Sequence, residues 1–363
     1  MTAPLRIGFI PLTDCTPLVV AKEHGFFARQ GLEVELLKAQ SWEQILSRLT
    51  SGDLDAAHML STIPLQWALG LSGRGHPLAY AVALSQHGNA ITLSNALWRA
   101  GVRDAASLKA HLESRPPARP LRLAVVHPRS THEYVLRLWL QRGGLEVDRD
   151  ISLHYVAPPV MVNQLRMGEI DGFCVGEPWN QRAVTSKLGY IVATSCDLLP
   201  PMNEKVLAVR LDWHREHPDL HAALLRAVWE AADWLGDSMN RESVVDLVAG
   251  KRYVNTSRGP VRSALFGELQ AGGGRVLRPQ GFLRFCGDGA NYPDPNHARF
   301  YLEQMWRSGH INPSEAQSLD LDSICLHAFY RETLSQSGLN PAGKLPEIFN
   351  EPYSDFLERF PKS

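Results

Sequence analysis

The stretch Leu5-Arg-Ile-Gly-Phe-Ile10 returns in altered form as Leu121-Arg-Leu-Ala-Val-Val126, 116 residues later. Leu49-Thr-Ser-Gly-Asp-Leu-Asp-Ala56 and Leu165-Arg-Met-Gly-Glu-Ile-Asp-Gly172 are separated by the same offset of 116 residues. Between these pairs, the four residues 31–34 match residues 144–147, and three extra residues at 148–150 restore the register. Three matches in the same order indicate that one supersecondary unit has been duplicated.

Each copy of this unit predicts the order strand, helix, strand, helix, strand. Short apolar runs of this kind are typical of buried parallel strands. The predicted strands are 7–11, 33–37 and 56–60 in the first copy, and 123–126, 152–156 and 172–175 in the second. The first helix of each copy is predicted at 16–29 and at 132–142, from apolar residues at helical spacing.

Alternating strands and helices predict an α/β fold with mostly parallel sheets and helices on both faces. Two such copies predict two pseudo-symmetric lobes with a ligand cleft between the carboxyl ends of their strands. We predict that residues 1–92 and 207–363 form the first lobe and that residues 93–206 form the second. Strand 206–209 is predicted to return the chain to the first lobe, and the helical C-terminal half to wrap that lobe.

Composition excludes several classes of protein. The 363 residues carry 37 Lys and Arg against 38 Asp and Glu, a formal charge of −1, which argues against a basic nucleic-acid-binding face. The five cysteines include no CxxC pair, so a disulfide framework or a structural zinc site is not expected. We expect no secretory leader and no membrane span, because apolar runs are short. These features predict a cytoplasmic protein.

Several motifs resemble one family over nearly the whole chain. The stretch Pro11-Leu-Thr-Asp-Cys-Thr-Pro-Leu-Val-Val-Ala-Lys-Glu-His-Gly-Phe-Phe27 resembles the first strand and helix of the nitrate and bicarbonate solute-binding proteins of ABC transporters. Further matches are Asp55-Ala-Ala-His-Met-Leu-Ser61, Ser130-Thr-His-Glu133 and, most specifically, Phe173-Cys-Val-Gly-Glu-Pro-Trp-Asn180. The resemblance implies the periplasmic-binding-protein type II fold, in which two lobes close on one small ligand.

Within that family, the chain resembles the cytoplasmic, NasS-like nitrate/nitrite sensors, because no leader is expected. The resemblance implies a non-enzymatic sensor that controls an ANTAR-type RNA-binding antiterminator (NasT-like), which nitrate or nitrite releases. It also implies no cofactor, no direct nucleic-acid contact and no membrane contact. The alternatives are a binding protein or domain of an ABC transporter for nitrate, bicarbonate or a sulfonate. An enzyme resembling the thiamine-pyrimidine synthases is disfavoured, because their cysteine cluster is absent around Cys174.

By resemblance, the ligand residues of the family correspond to Trp42, to the loop His87-Gly88-Asn89 after Gln86, to His132 and to Lys205. Nitrate is planar and singly charged, so a selective site needs converging donors, about one cation and a flat wall. Trp42 is then a wall or a donor, or else only a packing residue. Lys205 supplies the cation. The loop at 86–89 departs from the glutamine-rich turns of transporter members, so the donor there stays open.

Three other features of the sequence have simple structural interpretations. Glu177 lies at a predicted cleft edge, but a carboxylate repels nitrate, so we interpret it as lobe-closing or structural. His214 and His217 do not form an HExxH motif, and no metal site is predicted. No Walker A, GxGxxG or GxSxG sequence is present, so the sequence predicts neither a nucleotide site nor a nucleophile elbow.

Overall fold

The computed structural model describes residues 3–114 and 120–339, and within them two separate sheets form the two lobes. The first sheet has six strands in the order β13-β4-β10-β3-β1-β2, the second has five in the order β7-β6-β8-β5-β9, and β11 and β12 form a hairpin. The strands are β1 Leu5–Phe9, β2 Val34–Lys38, β3 Ala56–Leu60, β4 Leu78–His87, β5 Asn89–Ser94, β6 Leu121–Val125, β7 Ile151–Tyr155, β8 Gly172–Gly176, β9 Gly189–Thr194, β10 Asn203–Arg210, β11 Leu269–Gly272, β12 Arg275–Leu277 and β13 Leu283–Arg284.

Helices cover the faces of both sheets and make up most of the C-terminal half. They are α1 Thr16–Glu23, α2 Phe26–Arg29, α3 Trp42–Thr50, α4 Thr62–Ala68, α5 Asn95–Arg99, α6 Ala105–Ser114, α7 Thr131–Arg142, α8 Pro158–Met167, α9 Trp179–Thr185, α10 Leu211–Glu216, α11 Pro218–Trp234, α12 Ser238–Ala249, α13 Arg258–Phe266, α14 Pro295–Arg307, α15 Pro313–Gln317, α16 Leu321–Ile324 and α17 His327–Gln336. Within the described residues, none of them is both long and apolar enough to cross a membrane.

The two copies of the repeat fold alike, down to the pairing of their strands. In the first lobe β1 pairs in parallel with β2 and β3, and in the second β6 pairs in parallel with β7 and β8. Ile7 lies opposite Ala56, and Leu123 lies opposite Gly172, which is the same register after the offset of 116 residues. The predicted α/β fold of two lobes is confirmed, although antiparallel strands extend both parallel cores.

The repeated Gly-x-x-Asp turn has a structural cause. Asp55 accepts the backbone N–H of Arg6 at 2.7 Å, and Asp171 accepts that of Arg122 at 2.9 Å. Each arginine also donates from its guanidinium to the carbonyl oxygen of the repeat glycine, Gly52 in the first case. The turn therefore joins the end of one helix to the start of a neighbouring strand in both lobes.

The chain crosses between the two sheets twice. β4 leads through Gly88 into β5, and β10 returns the chain to the first sheet, antiparallel to β3 and β4. The predicted boundary at 92/93 falls inside β5, and the boundary at 206/207 falls inside β10. The crossings between the sheets lie instead at Gly88 and between residues 197 and 203. The domain division itself remains a prediction, and residues 340–363 lie outside the described residues.

The C-terminal half contacts both lobes. α11 packs on α1, α2 and β4 of the first lobe, burying residues such as Leu224 and Val228. The hairpin β11–β12 instead docks on the second lobe, where Gln181 donates to the carbonyl of Gln270 at 2.9 Å and accepts its N–H at 3.0 Å. The expectation that this half wraps the first lobe therefore describes only part of its contacts.

Candidate anion-binding site between the lobes

A buried lysine lies at the point where the first lobe faces the second. The ammonium group of Lys205, on β10, is 3.0 Å from Oδ2 of Asp14 and 2.7 Å from Oε1 of Glu204. All three side chains are buried, and that of Lys205 is fully so. Asp14 belongs to the short 3-10 turn that follows β1, so it lies at the carboxyl end of a strand.

Adjacent residues of a regular strand point to opposite faces, yet Glu204 and Lys205 touch each other. The cause is an irregularity in β10, whose register against β4 shifts between Asn203 and Lys205 and again between Lys205 and Val206. Such bulges turn a side chain away from its regular direction. The bulge brings both charges to one site.

A second acid–histidine contact lies behind the lysine. Nε2 of His58, on β3, is 2.9 Å from Oδ1 of Asp14, while its Nδ1 accepts the N–H of Ile10 at 3.4 Å. The ring of His58 also lies 5.9 Å from that of Trp42, measured between centroids. Trp42 is the first residue of α3, whose N-cap Ser41 accepts the N–H of Gln44 at 3.2 Å.

The second lobe contributes the N-terminus of α7. Its N-cap Ser130 accepts the N–H of Glu133 at 3.2 Å, which fixes the first turn that carries Thr131 and His132. Nε2 of His132 is 3.2 Å from Oε1 of Glu204, and the hydroxyl of Thr131 donates to the same oxygen. Glu204 thus joins the two lobes through side chains.

The residues after β4 lie partly at the site and partly at the edge of the sheet. Asn89 pairs with Gly176 in the second sheet, and a Cβ at Gly176 would lie 3.4 Å from the Asn89 side chain and 3.5 Å from Oδ2 of Asp14. The absence of a side chain at Gly176 leaves this space open. His87 lies in the left-handed region at φ 57°, and Gly88 follows at φ 93°.

Several buried polar atoms around this space have no hydrogen-bond partner among the described residues. They include Oγ1 of Thr13, Nε1 of Trp42, Oε1 of Gln86, both amide atoms of Asn89 and Nδ1 of His132. Buried polar groups are rarely left unpaired in folded proteins. A small polar ligand that accepts hydrogen bonds would satisfy the donors in this set, which come from both lobes.

The charges of the site oppose each other. Burial raises the pKa of Asp14 and of Glu204, but Lys205 together with a neighbouring histidine, His58 for Asp14 and His132 for Glu204, outweighs burial, so both pKa values lie below their usual range. Burial lowers the pKa of Lys205, but the two carboxylates outweigh it and raise that pKa overall. Burial also lowers the pKa of His132, against the opposing effect of Glu204, so the ring is neutral at neutral pH.

Two further titratable groups near the crossing are held neutral. Burial lowers the pKa of His87 to about 4. Burial raises the pKa of Glu177 to about 8, although its Oε2 accepts the N–H of Gln181 at 3.1 Å. The carbonyl of Glu177 accepts the N–H of Thr13 at 2.8 Å, so its backbone connects the lobes.

A groove of about 710 Å³ runs between the lobes beside this site. Its walls include the N-terminal ends of α3 and α8, at Ser41 and Ala157, and the ring of Trp179. No group of three or more His, Cys, Asp or Glu side chains suited to a metal ion occurs in residues 3–114 and 120–339.

The structure brings together four of the residues expected from the resemblance: Trp42, Asn89, His132 and Lys205. His87 and Gly88 lie at the edge of this group: the backbone of His87 pairs with Leu283, and a Cβ at Gly88 would meet the side chain of Leu283. Sequence reasoning assigned no role to His58, Asp14 or Glu204. The sequence shows only that these residues lie in or next to predicted strands. The bulge at Glu204 cannot be predicted from the sequence.

Residues 1–249 match the model of the NMT1-like family. The chain belongs to this family. As a member, it is 32% identical to the nitrate/nitrite binding protein NrtA of Nostoc sp. PCC 7120 over 330 residues, 88% of this chain and 74% of that protein. The predicted resemblance to nitrate and bicarbonate solute-binding proteins is thereby confirmed.

This NMT1-like chain also resembles part of larger proteins. It is 40% identical to the nitrate import ATP-binding protein NrtC of Synechocystis sp. PCC 6803 over 311 residues, 85% of this chain but 46% of that protein. The chain thus spans about half the length of such relatives. The crystal structure of the periplasmic nitrate-binding protein NrtA of Synechocystis PCC 6803 superposes with a TM-score of 0.89 at 27% identity, covering 99% of this chain and 98% of that one.

Proposed function

We propose that this chain binds nitrate or nitrite in the cleft between its lobes and is not an enzyme. The observation that carries the proposal is the set of unpaired buried polar atoms contributed by both lobes, namely Nε1 of Trp42, the amide of Asn89 and Nδ1 of His132. A planar oxyanion accepts hydrogen bonds in several directions and would satisfy donors from both lobes at once. The names of the NrtA and NrtC relatives support the same ligand.

We further propose that the chain is a cytoplasmic sensor that controls an ANTAR-type antiterminator, which anion binding releases. Support comes from the resemblance to NasS-like sensors. The Glu204 contacts with Thr131 and His132 offer a way for ligand and lobe arrangement to influence each other. A ligand shifts such an equilibrium only by its differential affinity for the two states, and the effect on the partner is reciprocal.

A second candidate is the ligand-binding unit of an ABC import system. The 40% identity to part of NrtC favours it, because that relative is named as an import ATP-binding protein. In this case the anion would be read by transporter subunits rather than by an RNA-binding protein. Bicarbonate, or a sulfonate, remains an alternative ligand under either candidate.

The ligand is tested by calorimetric titration of the purified chain with nitrate, nitrite, bicarbonate, sulfate and a sulfonate. We expect binding of nitrate and nitrite only. Trp42→Phe keeps the ring but loses the N–H, and should weaken binding about 10- to 100-fold, since a hydrogen bond to a charged group contributes about 1.5–3 kcal/mol. Trp229→Phe, on α11, is the matched control and should leave affinity unchanged. Binding of bicarbonate or a sulfonate but not nitrate would contradict the proposal.

The role is tested by co-purification with a candidate antiterminator, with and without saturating nitrate. Release by nitrate, together with loss of that response in Trp42→Phe at the same nitrate concentration, supports the sensor. A complex that survives nitrate unchanged contradicts it. Association with transporter subunits in the presence of nitrate would favour the second candidate.

A further inference from the structure

The charges buried at the site do not match a single anion. Lys205 is the positive group, and it contacts two carboxylates, Asp14 and Glu204, that are held ionised. Within the described residues, the other ionisable groups paired with these carboxylates are His58 and His132. His87 also lies near enough to Glu204 for the two charges to interact, but burial lowers its pKa to about 4, so it adds no positive charge at neutral pH. With the His132 ring neutral, Lys205 and the two carboxylates together carry one net negative charge before any ligand arrives.

A bound anion would add a second net negative charge to this cluster, and burying that charge would cost free energy. An unpaired charge taken from water into a protein interior costs several kcal/mol even after relaxation. Nitrate therefore needs a further positive charge that the site gains as the anion enters. A proton from solvent is the simplest source of such a charge, and a histidine ring is its natural acceptor.

His132 is placed to accept that proton. Its Nε2 faces Glu204 at 3.2 Å, and its buried Nδ1 has no partner in the described residues. A neutral imidazole has one N–H and one lone pair. If the proton is on Nε2, facing Glu204, the lone pair of Nδ1 would repel an anion. If the proton is on Nδ1 instead, the lone pair of Nε2 would face the carboxylate of Glu204. Only the protonated ring donates in both directions.

His58 is not suited to this task. Its Nδ1 already accepts the N–H of Ile10, and its Nε2 faces Asp14. A ring with one proton, on Nε2, satisfies both contacts. A second proton on Nδ1 would displace the bond from Ile10.

The other titratable groups around His132 and Glu204 do not replace this proton. Lys205 and Asp14 are paired with each other, and Glu133, next to His132 on α7, is paired with Arg137 at 2.8 Å. Cys174 on β8 and Tyr301 on α14 are influenced by the charge of Glu204, and burial raises the pKa of both, so they remain neutral. Glu177 contributes no cation in either protonation state.

We propose that anion binding is proton-coupled, with His132 taking one proton from solvent as the anion enters and Glu204 acting as the positioning residue that requires it. This inference rests on the proposed function and names the charge form in which the site accepts its ligand. Seen from solution, the protein takes up nitrate and a proton together. Glu204 acts through His132 and Lys205 and does not itself need to touch the anion.

The test is calorimetry of nitrate binding between pH 6.5 and 8.5 in buffers with different ionisation enthalpies, which reports protons taken up per anion bound. We expect an uptake close to one proton and an affinity that falls up to tenfold per pH unit over this range. Glu204→Gln removes the charge that requires the proton, so uptake should fall toward zero and affinity should become nearly independent of pH. His132→Gln should also abolish the uptake, with weaker binding.

His221→Gln is the matched control, because His221 is a buried histidine on α11 whose ring contacts His214 instead of the site. It should keep the wild-type uptake. Nitrate binding without proton uptake by the wild-type protein would overturn this inference and leave the proposed function standing. No nitrate binding at pH 6.5 would overturn both. If Glu204→Gln does not fold, the wild-type buffer series and His132→Gln still decide the matter.

Discussion

At the scale of single residues, the buried Lys205 holds two carboxylates that would otherwise repel each other. Removing one member of a buried ion pair costs about 3–5 kcal/mol, because it leaves an uncompensated charge in the interior. The depressed pKa values of Asp14 and Glu204 have a consequence for pH. Their contribution to stability is present above the pKa values of the unfolded chain and is lost as pH falls through the lower folded-state values.

Lys205→Met should therefore lower the free energy of unfolding at pH 7 by about 3–5 kcal/mol. The deficit should shrink toward pH 4.5, since Asp14 and Glu204 then accept protons more easily. Urea denaturation at both pH values measures the change. Lys251→Met, at an exposed position, is the control and should alter stability by less than about 0.5 kcal/mol. An equal deficit at both pH values would contradict this account.

The contribution of Glu177 to stability depends on pH in the opposite direction. Its folded-state pKa of about 8 lies above the value of 4.5 expected in the unfolded chain, so the folded state binds the proton more tightly. The resulting stability is full below pH 4.5 and is lost as pH rises toward 8. Glu177→Gln should remove this loss, so the variant should gain stability relative to wild type between pH 5 and 9. Thermal unfolding across that range measures the gain, and a constant difference would contradict the assignment.

At the scale of elements, α7 is the helix whose position decides where His132 lies. Ser130 caps its start, and Gly143 follows its end. A Cβ at Gly143 would lie 2.5 Å from backbone atoms of Ala105 at the start of α6, so the glycine lets the two helices meet closely. The packing of α7 on α6 thus depends on a residue far from the site.

Gly143→Ala should destabilise the protein by about 1–3 kcal/mol, because backbone atoms cannot move aside as a flexible side chain can. It should also weaken nitrate binding, since α7 carries His132. Gly259→Ala, in α13, meets no atom within 4 Å and is the control, expected to be neutral or slightly stabilising. Chemical denaturation gives the stability, and calorimetry gives the affinity. Wild-type stability of Gly143→Ala would show that α6 and α7 can separate.

Local patterns predicted the repeated elements well and the interruptions poorly. The strands of both copies lie within a few residues of their predicted positions, because buried strands leave apolar runs in the sequence. The helix predicted at 16–29 divides into α1 and α2 because Gly25 adopts φ 76°. Trp42, His132, Asn89 and Lys205 could be named only through family motifs. Glu204 could not, since its role depends on a bulge set by tertiary pairing.

At the scale of the whole molecule, the C-terminal half connects the lobes. Gln181 of α9 exchanges two hydrogen bonds with the backbone of Gln270, and Arg275 donates to the carbonyl of Ile191 at 3.0 Å. The hairpin β11–β12 thus follows the second lobe although most of the C-terminal half packs on the first. Any movement between the lobes must stretch or carry this hairpin.

Gln181→Ala should release the hairpin from α9 while leaving the ligand contacts in place. We expect amide hydrogen exchange to accelerate at residues 269–277, with a loss of about 1–3 kcal/mol in stability. Gln317→Ala, on α15, is the control and should leave exchange in the hairpin unchanged. Unaltered protection of 269–277 in Gln181→Ala would show that other contacts suffice to hold the hairpin.

The two crossings of the chain lie side by side, since Gln86 near the end of β4 pairs with Asn203 at the start of β10. The second lobe is therefore inserted, like a cassette, between two neighbouring strands of the first lobe. If it were removed, a short turn could join the end of β4 to the start of β10. Exchange of this cassette between relatives would swap Asn89 and His132 together while leaving Trp42 and Lys205 untouched. Chimaeras made in this way would apportion ligand selectivity between the two halves of the cleft.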